Sequence, residues 1–237
     1  MNDFTGRCWG VLPAAGIGSR MGTSLPKQYL LLQGQTVMEH SLQALLDCPH
    51  IDTVMVALHP EDDRPAAMAC FSQTGVMQTT GGATRSDSVL AALKALEGVA
   101  ESGDWVLVHD AARPCVSAGQ IAELIHCVGR TGVGGILAEP IVDTVKRASQ
   151  EGHVLETLDR STLWRAQTPQ MFRLGELRSA LEDAKTKNLA ITDEASAMEL
   201  AGHAVQLVKG SARNLKITLP EHLPLAEYYL QDGSGEQ

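Results

Sequence analysis

Short runs rich in Val, Ile and Leu alternate along most of this chain with segments whose apolar residues recur every three or four positions. A strand, a helix and a second strand return the chain in one direction, so repeated units build a mostly parallel sheet with helices on both faces. The fold class expected is therefore α/β. Strands are expected near 8–12, 53–58, 76–80, 105–109, 134–138 and 204–209. Helical patterns lie between them: Val37, Met38, Leu42, Leu45 and Leu46 in one, Val89, Leu90, Leu93 and Leu96 in a second, Ile121, Leu124, Ile125 and Val128 in a third. In such sheets ligands bind beyond the carboxyl ends of the strands, so chemistry is to be sought in the loops that follow them. A length of 237 residues suits one domain, expected over 1–231, with a polar tail at 232–237 expected to be disordered.

One segment breaks the alternation. Residues 141–147, a polar turn at 149–152 and residues 153–157 read as a β-hairpin where a crossover helix would be expected. It is either a projecting arm, near 139–160, that mediates a dimer or closes over a neighbouring site, or a surface hairpin packed on its own domain.

Composition narrows the function. The net charge of −9 argues against general nucleic-acid binding but leaves room for a local basic cleft around a small anion. Five cysteines without a C-x-x-C spacing, and eight scattered histidines, give no disulfide framework or zinc site. No apolar stretch approaches the ~20 residues that span a bilayer, and the polar N-terminus has no secretion-signal core. A cytoplasmic protein with no membrane partner is expected.

The most informative stretch is Val11-Leu12-Pro13-Ala14-Ala15-Gly16-Ile17-Gly18-Ser19-Arg20-Met21-Gly22, followed by Pro26-Lys27-Gln28-Tyr29. A strand runs into small residues whose backbone N–H groups can approach phosphate oxygens, and then into bases. It is neither a dinucleotide fingerprint, because Met21 stands where a third Gly is needed, nor a Walker loop. Further on, Gly81-Gly82-Ala83-Thr84-Arg85-Ser86-Asp87-Ser88 opens a helix; the glycines allow close approach to a flat base, Ser hydroxyls can bind it, and Ser86 or Asp87 is expected as helix cap. Asp110 ends the run Val106-Leu107-Val108-His109 and is a candidate Mg²⁺ ligand beside a triphosphate, or else caps its turn or pairs with Arg113. Thr192-Asp193-Glu194 reads as a helix start, with Thr192 as cap and two acids complementing the dipole. Asn214 to Thr218 reads as a short strand bearing Lys216.

Taken in order, V-L-P-A-A-G-x-G-S-R-M-G, P-K-Q-Y, G-G-x-x-R-x-D-S-V, V-H-D-A-A-R-P, D-T-V-K-R, L-D-R-x-x-L-W-x-A-Q-T-P-Q-x-F, T-D-E-A-S and N-L-K-I-T-x-P-E resemble the 2-C-methyl-D-erythritol 4-phosphate cytidylyltransferase family from about Gly10 to about Tyr229. The resemblance implies a Rossmann-like nucleotidyltransferase fold, a homodimer with an exchanged β-arm, and Mg²⁺ as cofactor. Carried over position by position, it puts the transition-state role on Arg20 and Lys27, the substrate-phosphate role on Arg160 and Lys216, the metal on Asp110, and an arm contact to substrate on Thr144. Substrate binding is further expected at Pro13, Ala14, Ala15, Gly16 and Gly18 in the first loop, at Gly81, Gly82, Arg85 and Ser88 in the second, and at Ala111 and Arg113 after the third strand. The implied partners are CTP and 2-C-methyl-D-erythritol 4-phosphate. His222, where the family usually has Asp, and Ala83, in a variable place, depart from the pattern. A ribitol 5-phosphate cytidylyltransferase and a catalytically idle nucleotide-binding protein are the alternatives.

Overall fold

The protein is described by a computed structural model over residues 6–16 and 25–233. Its strands are β1 (Cys8–Pro13), β2 (Leu31–Leu32), β3 (Gln35–Thr36), β4 (Ile51–Leu58), β5 (Val76–Thr80), β6 (Trp105–Val108), β7 (Gly135–Pro140), β8 (Val145–Ala148), β9 (Val154–Leu158), β10 (Trp164–Arg173) and β11 (Gln206–Lys209). The α-helices are α1 (Val37–Leu46), α2 (Arg85–Leu96), α3 (Ala118–Thr131), α4 (Leu174–Thr186), α5 (Glu194–Leu200) and α6 (His222–Gly233). One sheet of seven strands runs β11, β7, β10, β6, β1, β4, β5. All its pairings are parallel except those of β10, which is antiparallel to both β6 and β7.

The two-residue period of a strand explains the layers. Trp9 and Val11 of β1, with Val106 and Val108 of β6, enter a core covered by α2, α4 and α5. Cys8 and Leu12, with Trp105 and Leu107, enter the opposite core beneath α1 and α3. Both faces are buried, so β6 reads as the continuous apolar run Trp-Val-Leu-Val rather than as an alternating one. The helices begin where side chains satisfy their first N–H groups. Thr36 with Glu39, Ser117 with Gln120, and Thr84 with Asp87 form capping boxes at α1, α3 and α2. The α2 cap is thus Thr84, not Ser86 or Asp87. At α5 the cap is Asp193, which accepts from Ser196, and not Thr192.

All six expected strands form, within a few residues. Strand β10 is not among those expected from the sequence, and the reason is physical: its middle reads Gln-Thr-Pro-Gln, and proline is excluded from regular central strands. Pairing with β7 is interrupted between Ala166 and Gln170, and Pro169 occupies that irregularity, after a cis Thr168–Pro169 bond. Residues 214–218 are not a strand; Ile217 N–H donates to Ala112 O at 2.8 Å and no ladder forms. Helix α6 runs through Asp232 to Gly233, positions placed in the expected tail, and residues 234–237 lie outside the described ones.

The hairpin is present as β8 and β9, a separate two-stranded sheet. Val142, Val154 and Leu155 on and beside it are 61–73% exposed. It stands between β7 and β10, whose adjoining ends pair Pro140 with Trp164. The chain order also locates a crevice. From β1 the chain passes to β4 and β5 on one side, then crosses to β6 on the other, so the loops after β1 and β6 diverge.

Candidate active site

A cavity of about 250 Å³ opens at that divergence. Its walls are the loop from Pro13 to Gly16, Lys27 and Gln28, the entry to α2 at 82–85 with Ser88, the turn from Asp110 to Ala112, and Lys216. Pro26-Lys27-Gln28-Tyr29 forms a single 3₁₀ turn that carries Gln28 beneath the first loop. The buried Gln28 amide donates to Ala14 O at 3.0 Å and to Gly16 O at 2.7 Å. A trans peptide points C=O and N–H in opposite directions, so holding the Ala14 carbonyl turns the Ala15 N–H away from Gln28. A side chain on Gly16 would meet nothing within 4 Å, and that residue is exposed to the cavity mouth.

The second loop is pressed against the first. A Cβ on Gly81 would lie 2.5 Å from Ala15 Cβ and one on Gly82 2.3 Å from Asp87 Cβ, so both glycines are needed for packing before any ligand arrives. Gly82 lines the cavity and Gly81 supports it from behind. The buried Ser88 hydroxyl accepts from Gly82 N–H at 3.1 Å and donates to Thr84 O at 2.9 Å, bracing the loop.

Asp110 is the electrostatic centre. Its Oδ1 accepts from Arg85 Nε at 2.7 Å, and its Oδ2 lies 2.8 Å from Lys216 Nζ and 3.6 Å from Arg113 Nε. Burial opposes ionisation of this carboxyl, but the charges of Arg85, Lys216 and Arg113 overcome it and hold its pKa well below the usual carboxylate range. Arg85 turns its other edge to Glu194, with Nη1 and Nη2 donating at 2.7 and 2.9 Å. Burial would lower the Arg85 pKa; Glu194 and Asp110 raise it instead.

The Asp110 backbone is fixed by a relay. Its N–H donates to Thr168 Oγ1 at 3.0 Å, and Thr168 and the fully buried His109 Nδ1 are 2.9 Å apart. His109 Nε2 faces Arg113 O at 3.0 Å, an atom that can only accept, so the proton sits on Nε2 and Nδ1 accepts from Thr168. Burial lowers the His109 pKa to about 4, consistent with a neutral ring. The irregular stretch of β10 therefore braces the site. Besides Thr168, Gln167 donates to Ser211 O, Asn214 donates to Thr168 O, and Gln170 joins Asp193 and Ala195 N–H at the start of α5.

Of the expected site residues, Pro13, Ala14, Ala15, Gly16, Lys27, Gly82, Arg85, Ser88, Asp110, Ala111 and Lys216 line the one cavity. Arg113 stands behind Asp110. Gly18 and Arg20 lie outside the described residues. Thr144 and Arg160 are exposed beside the hairpin, where Arg160 Nη1 donates to Val142 O, and neither lines the cavity. Missed by sequence reasoning are Gln28, Thr84 and Ala112 in the wall, and Glu194 and Thr168 behind it. Glu194 was legible only as a first-turn acid; no local pattern shows that it turns inward.

Among the described residues Asp110 is the only carboxylate in the wall, and no cluster of three metal-ligating side chains exists. That donor set fits Mg²⁺, which binds through one or two carboxylates and otherwise takes phosphate oxygens and water. Lys216, 37% exposed on a flexible stem, is the partner free to leave Asp110.

The family model described as 2-C-methyl-D-erythritol 4-phosphate cytidylyltransferase matches residues 9–232. Proteins of that name from Pseudomonas syringae pv. syringae and Pseudomonas aeruginosa are 49% and 51% identical, over 94% and 91% of this chain and 95% and 92% of theirs. Among solved structures, a 4-diphosphocytidyl-2C-methyl-D-erythritol synthase superposes with a TM-score of 0.82 at 38% identity, covering 95% of this chain and 99% of that one. The Thermus thermophilus 2-C-methyl-D-erythritol 4-phosphate cytidylyltransferase gives 0.78 at 34% identity, again over 95% and 99%. A seven-stranded, mainly parallel sheet with its cavity at the β1–β6 divergence, matched along nearly its whole length, places this chain in the 2-C-methyl-D-erythritol 4-phosphate cytidylyltransferase family.

Proposed function

We propose that the protein transfers the cytidylyl group of CTP to 2-C-methyl-D-erythritol 4-phosphate, giving 4-diphosphocytidyl-2-C-methyl-D-erythritol and pyrophosphate in isoprenoid precursor synthesis. The observation that carries this reading is the meeting of Lys27, Asp110, Arg85 and Lys216 with the Pro13–Gly16 loop in one cavity of a chain of this family. A phosphate oxygen of the acceptor attacks the α-phosphorus of CTP, the bond to the bridging oxygen breaks, and pyrophosphate leaves. The attacking oxygen is already anionic near neutral pH, so no general base is required. The barrier is the meeting of two anions, which fixed cations lower.

Lys27 neutralises charge on the reacting phosphates, and Arg20 is assigned the same work from its motif. The amides of the first loop hold the triphosphate, with Gln28 keeping their carbonyls turned inward. Gly82, Ser88 and the backbone at Ala83 form the base side of the cavity. Asp110 would hold Mg²⁺, which supplies Lewis-acid neutralisation of the triphosphate. Lys216 grips the acceptor phosphate.

The arm completes the assignment. Thr144 and Arg160 belong to the acceptor site by motif but stay outside this chain's cavity, and the arm exposes apolar side chains. Both facts support a homodimer in which each arm enters the partner's site, Arg160 meeting the phosphate bidentately. Among the described residues no helix is long and apolar enough to cross a membrane. Pyrophosphate release from CTP is the test. Release with methylerythritol phosphate and little with ribitol 5-phosphate is expected. The reverse preference overturns the acceptor assignment, and none with either overturns the enzyme.

A further inference from the structure

We infer that Glu194 is a positioning residue that keeps Asp110 competent for a divalent cation by occupying the second edge of Arg85. The inference rests on the nucleotidyl-transfer reading above and extends it to a residue outside the cavity wall.

Glu194 is 1% exposed, at the first position of α5, and takes two of the five N–H donors of Arg85. A first-turn acid that served only the helix dipole would face water, where the benefit is small and desolvation absent. Burying a carboxylate is costly, and a well-packed apolar side chain commonly serves stability as well or better. The buried pair therefore marks a use other than stability.

Geometry shows the use. With both Nη atoms engaged by Glu194, Arg85 reaches Asp110 through Nε alone, at 2.7 Å on Oδ1. Among the described residues three cations, Arg85, Arg113 and Lys216, face Asp110, and Glu194 is a second carboxylate on the first of them. Without its charge, Arg85 is free to turn its fork onto Asp110 and cancel the anion that a metal needs. Glu194 is itself held in register, because Gln170 binds Asp193 and the N–H of Ala195 on either side of it.

The test is binding, not turnover. Mn²⁺, read by electron paramagnetic resonance, is titrated into the enzyme–CTP complex without acceptor, and CTP is titrated calorimetrically in chelator. Glu194→Gln should weaken Mn²⁺ about 10–100-fold, the usual loss when a group supporting a metal ligand is removed, while metal-free CTP binds at least as tightly because the site has become more positive. Glu194→Asp, which keeps the charge, should stay within about threefold of wild type for Mn²⁺. Mn²⁺ affinity unchanged in Glu194→Gln overturns the inference. So does equal weakening of Mn²⁺ and metal-free CTP, the mark of a loosened pocket. Should Glu194→Gln not fold, a tenfold or greater Mn²⁺ loss in folded Glu194→Asp overturns it alone. Wild type that fails to release pyrophosphate refutes the functional reading instead, and that assay is separate.

Discussion

Replacing Gln28 with Leu keeps the volume beneath the first loop and removes its two hydrogen bonds. The two carbonyls differ in burial, and so do the consequences. Ala14 is 2% exposed, so its oxygen is left without a partner in free and ligand-bound protein alike. An orphaned buried acceptor costs about 1–3 kcal/mol, and this share falls on stability. Gly16 is exposed, and its oxygen can turn to water once released. The loop then has to be re-ordered when the triphosphate binds. One net hydrogen bond, about 0.5–1.5 kcal/mol, sets that cost. It corresponds to a CTP dissociation constant raised roughly 2- to 12-fold. Calorimetric CTP titration reads the second quantity and urea unfolding the first. A Gln28→Leu protein that is less stable yet binds CTP like wild type would show that Gln28 is packing material and does not order the phosphate loop.

Lys27→Ala should lower kcat by about 10²–10³ with a much smaller change in CTP affinity, as expected for a cation that acts on charge developing in the transition state; a change confined to KM would make Lys27 a ground-state binder. His109 sets a pH dependence. Its folded pKa of about 4 lies below the ordinary 6.5, so its contribution to stability is complete above pH 6.5 and is lost as pH falls towards 4. That loss amounts to about 3 kcal/mol, visible in urea unfolding across the range; a profile for His109→Asn as steep as wild type's would refute the assignment. Finally, mixing inactive Lys27→Ala and Arg160→Ala proteins should restore activity approaching about a quarter of wild type if sites are shared across a two-fold dimer. Demonstrated subunit exchange without activity would place each site within one chain.

Strand–helix alternation made the sheet legible because both of its faces are buried, and unbroken apolar runs such as Trp105 to Val108 announce themselves. The loops that line the cavity were legible for a different reason. Gly16 and Asp110 closely follow the ends of β1 and β6, so local order in the sequence equals proximity in space. The bracing shell had no such signature. Thr168, Gln170 and Glu194 act across separations of 58, 25 and 109 residues, and each looks locally like a turn residue or a solvated acid. Strand β10 was hidden by the proline in its irregular stretch, next to the Thr168 hydroxyl that accepts from the Asp110 N–H. Cap positions erred by one to three residues because Thr, Ser and Asp cluster at both α2 and α5, and composition does not rank them.

The pairing of Pro140 with Trp164 makes the arm a detour with its two ends already joined. Ile141 N–H to Leu163 O, at 3.0 Å, extends that closure one step outward. Chain beyond such a clasp adds loop-closure entropy only logarithmically with its length. Its size and sequence can thus drift with little penalty to the body of the fold, while the seven-stranded sheet beneath cannot. The arm is in this sense a replaceable fitting on a rigid mount. If the arm reaches the acceptor site as proposed, exchanging this one hairpin would re-tune the acceptor with the nucleotide half of the site left intact.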